Sequence, residues 1–164
     1  MASGCATTPG RLLWSIDKPT PTVEKAAVYL FRVSDSRPRP GRVIISVDGK
    51  ELVGLKDREF SWCYLPPGDH TFRAEWSLMD KPLFEAGHFD AKTLVTKIEA
   101  NRTYYICYFV QEDGDPPTML EGAGLLGKAL SKSHVVSVEL ITEDETRALA
   151  NLASCHFQES TFSK

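Results

Sequence analysis

The sequence of 164 residues is 42% hydrophobic, 25% charged and 10% aromatic, a composition typical of one soluble globular domain with its own core. Nineteen basic and twenty-two acidic residues leave a net charge of −3, which excludes the basic surface of a nucleic-acid-binding protein. No run approaches the roughly eighteen consecutive apolar residues that a membrane-spanning helix requires.

The first ten residues place a cysteine directly after three small residues. Ala2-Ser3-Gly4-Cys5 resembles the end of a bacterial lipobox, with Ala2 where that pattern usually has an aliphatic residue. The resemblance implies that Cys5 is diacylated, becomes the mature N-terminus and anchors the protein in a membrane. The alternative is a tail whose cysteine carries no modification. Residues 1–25, rich in proline and threonine, are predicted to form a flexible, extended linker.

The first predicted strands follow this linker. Residues 26–33 form an apolar run with β-branched and aromatic side chains, typical of a buried strand. Residues 42–47 and 51–55 flank Asp48-Gly49, the dipeptide best suited to a type I′ turn because both central residues adopt a positive φ. This pair is the strongest hairpin signal in the sequence.

A second hairpin is predicted from residues 59–65 and 70–78, which Pro66-Pro67-Gly68-Asp69 joins as a tight turn within one sheet. In the return strand apolar side chains alternate with polar ones, as in an antiparallel strand with one buried face. The apolar set consists of Phe72, Ala74, Trp76 and Leu78.

Three more strands are predicted in the second half of the chain. They cover residues 94–99, 103–110 and 134–141, and the middle one is apolar on both faces, so we expect it in the core. Residues 111–133, with several glycines and prolines, are predicted to form a long loop with at most a brief helical turn.

A short helix is predicted at the C-terminal end. Thr142 as N-cap and Glu145 three residues later have the spacing of a capping box, and an apolar stripe continues to about His156. Seven to eight strands and one C-terminal helix, without alternating strand and helix units, predict a mainly β fold. We expect an antiparallel β-sandwich of the immunoglobulin or transthyretin type.

Two motifs connect this fold to known modules. Ile45-Ser46-Val47-Asp48-Gly49-Lys50, followed by Leu65-Pro66-Pro67-Gly68-Asp69-His70-Thr71-Phe72, is similar to the pattern V-x-V-D-G-K and L-x-P-G-x-H/Y-x-F of transthyretin-like and PEGA-type sandwich modules. With Val28-Tyr29-Leu30-Phe31-Arg32 and Tyr104-Tyr105-Ile106, the chain resembles a family of small bacterial lipoproteins that carry a domain of unknown function.

This resemblance implies a sandwich domain over residues 26–158, followed by a tail of residues 159–164. It also implies a place in the cell envelope, on the outer membrane and facing the periplasm. It lends no catalytic residues. If Cys5 carries no lipid, the expected location is the cytoplasm instead.

Two patterns that could carry chemistry are rejected on their context. Residues 122–127 spell G-x-G-x-x-G, but residues 113–121, with two prolines, separate them from the preceding strand. A glycine-rich loop is therefore predicted rather than a dinucleotide site. The four cysteines and four histidines have no metal-ligand spacing, so neither a metal nor a cofactor is predicted.

The cysteines leave two alternatives open. Cys63, Trp76 and Tyr105-x-Cys107 resemble the immunoglobulin arrangement, which implies a disulfide between Cys63 and Cys107 that pins two sheets together. However, the predicted hairpin keeps Cys63 and Trp76 in one sheet, whereas the corresponding immunoglobulin connection crosses between sheets. Buried free thiols are the favoured alternative.

The function expected from these patterns is that of a non-enzymatic, membrane-tethered envelope lipoprotein, a structural or interaction module with an envelope protein or a glycan as partner. The alternative is a carbohydrate- or peptide-binding module that uses exposed aromatic side chains. Candidate ligand-binding residues are Trp62, Tyr64, Tyr104 and Tyr108. A hydrolase is disfavoured, since no nucleophile elbow and no convergent serine, histidine and acid set can be found.

Overall fold

The computed structural model describes residues 11–34, 41–77, 90–113 and 135–160. Within these ranges the chain forms a 3-10 helix, nine strands and one α-helix. In chain order they are the 3-10 helix Leu13–Ser15, β1 Ala26–Ser34, β2 Val43–Val47, β3 Lys50–Leu55, β4 Glu59–Leu65, β5 Gly68–Trp76, β6 Lys92–Ile98, β7 Thr103–Asp113, β8 Val135–Thr142, α1 Glu145–Leu152 and β9 His156–Phe157.

The strands form two sheets. Sheet A has the order β8-β7-β1-β4-β9, and sheet B has the order β3-β2-β5-β6. Sheet B is antiparallel throughout, whereas in sheet A the central strand β1 runs parallel to β7, and β4 runs parallel to β9. The mainly β sandwich with one C-terminal helix is therefore confirmed, with mixed rather than purely antiparallel pairing in sheet A.

Two of the places where the chain changes sheets are tight corners on either side of β4. The first corner joins β3 to β4 through residues 56–58, with Arg58 at φ 56°. The second joins β4 to β5 at Pro66 and Pro67, where Gly68 has a φ of 148°, a backbone region that side chains exclude almost completely. Because β4 lies in sheet A and β5 in sheet B, the predicted second hairpin within one sheet is wrong.

The first predicted hairpin is confirmed. β2 and β3 pair antiparallel around Asp48 and Gly49, whose φ values of 51° and 77° are those of a type I′ turn. A register shift between Ile45 and Ser46 marks a bulge in this pair. The alternation predicted for β5 is also confirmed, because Phe72, Ala74 and Trp76 are buried and the residues between them are exposed.

An inner core fills the space between the two sheets. Its side chains come from the inner faces of both sheets, and it includes Leu30, Ile45, Phe72, Trp76, Ile106 and Tyr108. The Trp76 indole N–H donates to the Tyr108 hydroxyl at 2.8 Å. The Arg32 guanidinium, fully buried, lies 4.4 Å from the centre of the Trp76 ring and donates to the Gly41 carbonyl at 2.7 Å. A charge is thereby held inside the sandwich by a carbonyl and an aromatic face.

An outer core covers the opposite face of sheet A, which we call the outer face. It consists of Leu13, Tyr29, Phe31, Val33, Phe60, Tyr105, Cys107, Ala148, Leu152 and Cys155. The helix α1 and the segment around Leu13 supply the covering layer. Sheet A is therefore buried on both faces, which explains why almost every side chain of β1 is inaccessible.

The helix begins two residues later than the capping-box pattern predicts. Thr142 is the last residue of β8, and the N-cap is Asp144, whose carboxylate accepts from the Arg147 backbone N–H at 3.1 Å. Thr142 pairs with Ile106 in the sheet, so it belongs to the β-ladder rather than to the start of the helix. The prediction of Thr142 as N-cap is wrong for this reason.

The prediction of an extended linker over residues 1–25 fails for the segment around Leu13. Leu12 forms an isolated antiparallel bridge with His156, and the Phe157 backbone N–H donates to the Arg11 carbonyl at 2.6 Å. Leu13 is buried in the outer core. The apolar pair Leu12-Leu13 thus docks onto the edge of sheet A, where composition alone suggested a free chain.

Candidate functional site

An aromatic row crosses the outer face of sheet A. Tyr29 on β1 pairs with Trp62 on β4 and with Tyr105 on β7, so three adjacent strands each place one ring at the same level. Tyr64 lies two residues beyond Trp62 on β4 and therefore on the same face. We call Tyr29, Trp62, Tyr64 and Tyr105 the aromatic patch.

The rings of the patch form two pairs. Tyr29 and Tyr105 are stacked, with centroids 5.4 Å apart and planes 14° apart. Trp62 and Tyr64 meet edge to face, with centroids also 5.4 Å apart. The stacked pair is buried, Trp62 is half-buried, and Tyr64 is 39% exposed. Access to the patch is therefore by way of Tyr64 and the edge of Trp62.

The hydroxyl groups of Tyr29 and Tyr105 are polar groups of the aromatic patch. The Tyr105 hydroxyl donates to a Glu145 carboxylate oxygen at 3.3 Å, where α1 begins. Burial, and secondarily Glu145, raises the pKa of Tyr105 to about 12. Burial, with the neighbouring hydroxyls of Tyr105 and Tyr64, also raises the pKa of Tyr29 to about 12. Both phenols keep their protons at neutral pH, so each hydroxyl can donate a hydrogen bond.

The indole N–H of Trp62 is a further donor in this patch. It is buried, and no described residue accepts a hydrogen bond from it. The Trp62 carbonyl, in contrast, accepts from the Ser160 hydroxyl at 3.3 Å. A buried donor of this kind costs free energy until an acceptor reaches it.

The structure brings together only two of the four predicted ligand-binding aromatics. Tyr108 is fully buried in the inner core with Trp76, so its proposed contact with a ligand is wrong. Tyr104 also lies on the inner side of sheet A, where its hydroxyl accepts from the Glu99 backbone N–H at 2.9 Å. Trp62 and Tyr64 point to the outer face. The parity of the strands therefore divides the predicted set between two faces.

The favoured alternative of buried free thiols is confirmed, and the Cys63–Cys107 disulfide implied by the immunoglobulin resemblance is wrong. Cys63 lies in the inner core and Cys107 in the outer core, on opposite faces of sheet A, and both are free thiols. Cys155 is likewise free and buried. Burial raises the pKa of the Cys63 and Cys155 thiols to about 12 and that of Cys107 further still. Burial therefore keeps these thiols in the protonated form at neutral pH.

The two halves of the sandwich-module motif meet in space. Asp48, from the first half, accepts from the Thr71 backbone N–H at 2.9 Å, and its second oxygen lies 2.6 Å from His70 Nδ1. His70 Nε2 lies 2.9 Å from the Pro66 carbonyl. His70 is therefore a buried strand residue that connects the β2–β3 turn to the corner between the sheets.

Sequence reasoning missed Tyr29 and Tyr105 as members of the patch, and Glu145 as the hydrogen-bond partner of Tyr105. Each lies in a segment that the sequence already assigned to a strand or to a helix start. What was missing was the pairing of β1 with both β4 and β7, which is a long-range property. The separation of Trp62 and Tyr64 by two positions along β4 is the one local signal that they share a face of the sheet.

Several predicted features lie outside the described residues. They are Cys5, Leu78 and the glycine-rich segment 122–127. Among the described residues no group of three or more histidine, cysteine, aspartate or glutamate side chains is placed to hold a metal ion. No helix in the described ranges is long and apolar enough to cross a bilayer.

Comparison with known proteins adds no assignment. No protein-family model matches the chain, and no curated protein matches it either. The resemblance to small envelope lipoproteins therefore rests on the motif residues alone.

Proposed function

We propose that this chain is a non-enzymatic interaction module of the cell envelope, a β-sandwich tethered to a membrane by lipid on Cys5. In this proposal the domain faces the periplasm from the outer membrane. The observation that supports binding is the aromatic patch, in which the exposed Tyr64 and the half-buried Trp62 lie on the strand next to two protonated phenols. Aromatic rings with nearby polar atoms are typical of protein interaction surfaces.

The protonated state of the two patch phenols supports binding. The phenols of Tyr29 and Tyr105 have pKa values near 12, far from the neutral range in which a general base is effective. The thiols of Cys63 and Cys155 are shifted in the same direction. These groups favour contact and hydrogen bonding over proton transfer.

The tether is tested by mass analysis of the natural gene product. The protein is expressed in a Gram-negative host with whatever upstream segment its gene encodes, and membrane and soluble fractions are compared. We expect a membrane-bound product that carries acyl mass on Cys5, and a soluble product without that mass from a Cys5→Ser variant. An unmodified soluble product from the unaltered gene refutes the lipoprotein proposal.

A second candidate function is the binding of carbohydrate or peptide by the aromatic patch. The specific observation is the exposure of Tyr64 beside a half-buried tryptophan, which gives a fluorescence reporter at the site. We expect glycans, peptidoglycan fragments or peptides to change the tryptophan emission, and Tyr64→Ala to remove the response. Val95→Ala, on the outer face of sheet B and 65% exposed, is the control. A flat titration with all three ligand classes refutes this candidate.

A further inference from the structure

Trp14 is the most exposed aromatic side chain in the described part of the chain. Its side chain is 65% exposed, whereas its neighbour Leu13 is 7% exposed and buried in the outer core. Single apolar side chains are common on protein surfaces, so the exposure of Trp14 gains meaning from its position relative to Cys5.

The turn that carries Trp14 is held in place on both sides. The Ser15 backbone N–H and hydroxyl donate to the Leu12 carbonyl at 2.9 Å and 2.8 Å, which closes the 3-10 turn. The Leu12 bridge to His156 fixes this turn to the edge of sheet A. Trp14 is therefore presented at a defined position on the domain.

The docked segment also limits how far the domain can stand from Cys5. Arg11, whose carbonyl accepts from Phe157, follows Cys5 by six residues. An extended chain spans at most about 3.5 Å per residue, so the two Cα atoms lie within about 21 Å of each other. A folded chain of this length is about 40 Å across. A lipid on Cys5 thus holds the Arg11 side of the domain toward the bilayer.

The chemistry around Trp14 suits the headgroup layer of a bilayer. Tryptophan prefers that layer because its ring is apolar and its N–H can still donate to a polar group. The exposed charges nearby have both signs, with Arg11 and Lys18 against Asp17. A strongly charged protein surface is therefore a poorer match than a lipid interface of mixed polarity.

We propose that Trp14 inserts into the headgroup layer of the membrane to which Cys5 is attached, and so fixes the orientation of the domain on that membrane. This inference rests on the proposed function, because the short tether brings Trp14 to the lipid. In this orientation the β9 edge of sheet A faces the bilayer.

The test supplies the tether chemically, so it does not depend on acylation in a cell. Cys63, Cys107 and Cys155 are buried, so a lipid-linked maleimide is directed to Cys5, the fourth cysteine of the chain. The full chain with this lipid is bound to phosphatidylethanolamine and phosphatidylglycerol vesicles that contain brominated phosphatidylcholine, a short-range quencher of tryptophan. The matched variant is Trp14→Phe, and Trp62 and Trp76 remain in both proteins.

The difference in emission between the unaltered protein and Trp14→Phe gives the emission of Trp14. In the lipid-linked protein we expect the brominated lipid to quench about half of this Trp14 emission, as for a ring at headgroup depth. We expect the Trp14→Phe protein to show almost no quenching. Equal quenching of both proteins, or none in the unaltered one, overturns the proposal.

A tether variant tests the argument from reach. Twenty glycine and serine residues inserted between Pro9 and Gly10 are expected to reduce the quenching of Trp14 at least two-fold, while the protein stays on the vesicles. Unchanged quenching shows that the short tether does not position Trp14. If cells leave Cys5 unmodified, the lipoprotein proposal fails, and the chemically tethered protein still reports on Trp14 independently.

Discussion

The two sheets of this sandwich differ in whether their outer faces are covered. In sheet B, buried and exposed side chains alternate strictly along β5, so one face meets the inner core and the other meets water. In sheet A, the first eight residues of β1 are all buried. The difference arises because α1 and the segment around Leu13 form a third layer over sheet A. An open face and a covered face therefore coexist in one small domain.

The comparison shows where a binding surface can arise. The outer face of sheet B carries polar side chains, including Arg73 and Glu75, which form an ion pair at 3.0 Å. The outer face of sheet A is apolar, and its covering layer leaves Tyr64 accessible beside Trp62. The candidate site thus lies on sheet A, whose two faces are both covered.

The largest expected effect separates the two outer faces directly. Phe31→Ala empties a fully buried position on the outer face of sheet A, and we expect a loss of about 3–5 kcal/mol in the free energy of unfolding. Arg73→Ala, on the outer face of sheet B, is the matched control and should change it by less than about 0.5 kcal/mol. Urea denaturation measures both. A loss below about 1 kcal/mol for Phe31→Ala contradicts a covered outer face.

A smaller effect tests the N-terminal part of the covering layer. Leu13→Ala removes a buried side chain, and we expect a loss of about 2 kcal/mol in the free energy of unfolding. Trp14→Ala, its exposed neighbour, should leave stability within about 0.5 kcal/mol of the unaltered protein. If both variants are equally stable, residues 11–16 do not pack on sheet A.

The helical part of the layer is tested at its first residue. Asp144→Ala removes the N-cap and should cost about 1 kcal/mol, because the Arg147 N–H loses its acceptor. Thr142→Ala leaves this cap intact, and we expect a smaller loss. Thermal or urea unfolding distinguishes the two variants. The reverse order of effects would return the cap to Thr142.

The smallest effect concerns acid and the turn of sheet B. The Thr71 backbone N–H and, to a lesser extent, His70 hold the pKa of the Asp48 carboxyl below its usual value. Because the folded-state pKa is depressed, this contribution to stability is present above the unfolded pKa of about 3.9 and is lost as pH falls through the folded pKa.

Asp48→Asn is the matched variant, since asparagine keeps an acceptor for Thr71 and tolerates the positive φ. Between about pH 5 and about pH 3 the unaltered protein should lose more stability than Asp48→Asn does. The excess should stay below about 1 kcal/mol, because Asp48 is 48% exposed in its side chain and solvent screens the pair. Identical losses in urea unfolding at the two pH values contradict the role of Asp48.

Local patterns predicted most of the strands and the first hairpin. The apolar run of β1, the Asp48-Gly49 turn and the alternation of β5 are each set by neighbours in sequence. The sequence predicts a hairpin at Pro66 and Pro67, whereas the chain changes sheets there. A tight turn and a change of sheet use similar residues. Only long-range packing decides between them.

The candidate site was half predictable for the same reason. Trp62 and Tyr64 share a face by spacing alone. The partners Tyr29 and Tyr105 come from strands more than thirty residues away on either side, and only the register of β1 brings them together. Pairing between distant strands depends on topology, which one sequence does not specify.

The parallel pairing of β1 with β7 has a consequence for synthesis on the ribosome. Ala27 pairs with Thr103, so 76 residues separate partners in the central ladder of sheet A. Contacts of such long range close slowly. While the chain emerges, β1 can pair with β4 but must wait for β7, and its second edge stays open to other strands. The middle of the molecule is therefore completed late, and that interval is when the nascent chain is most exposed to misassembly.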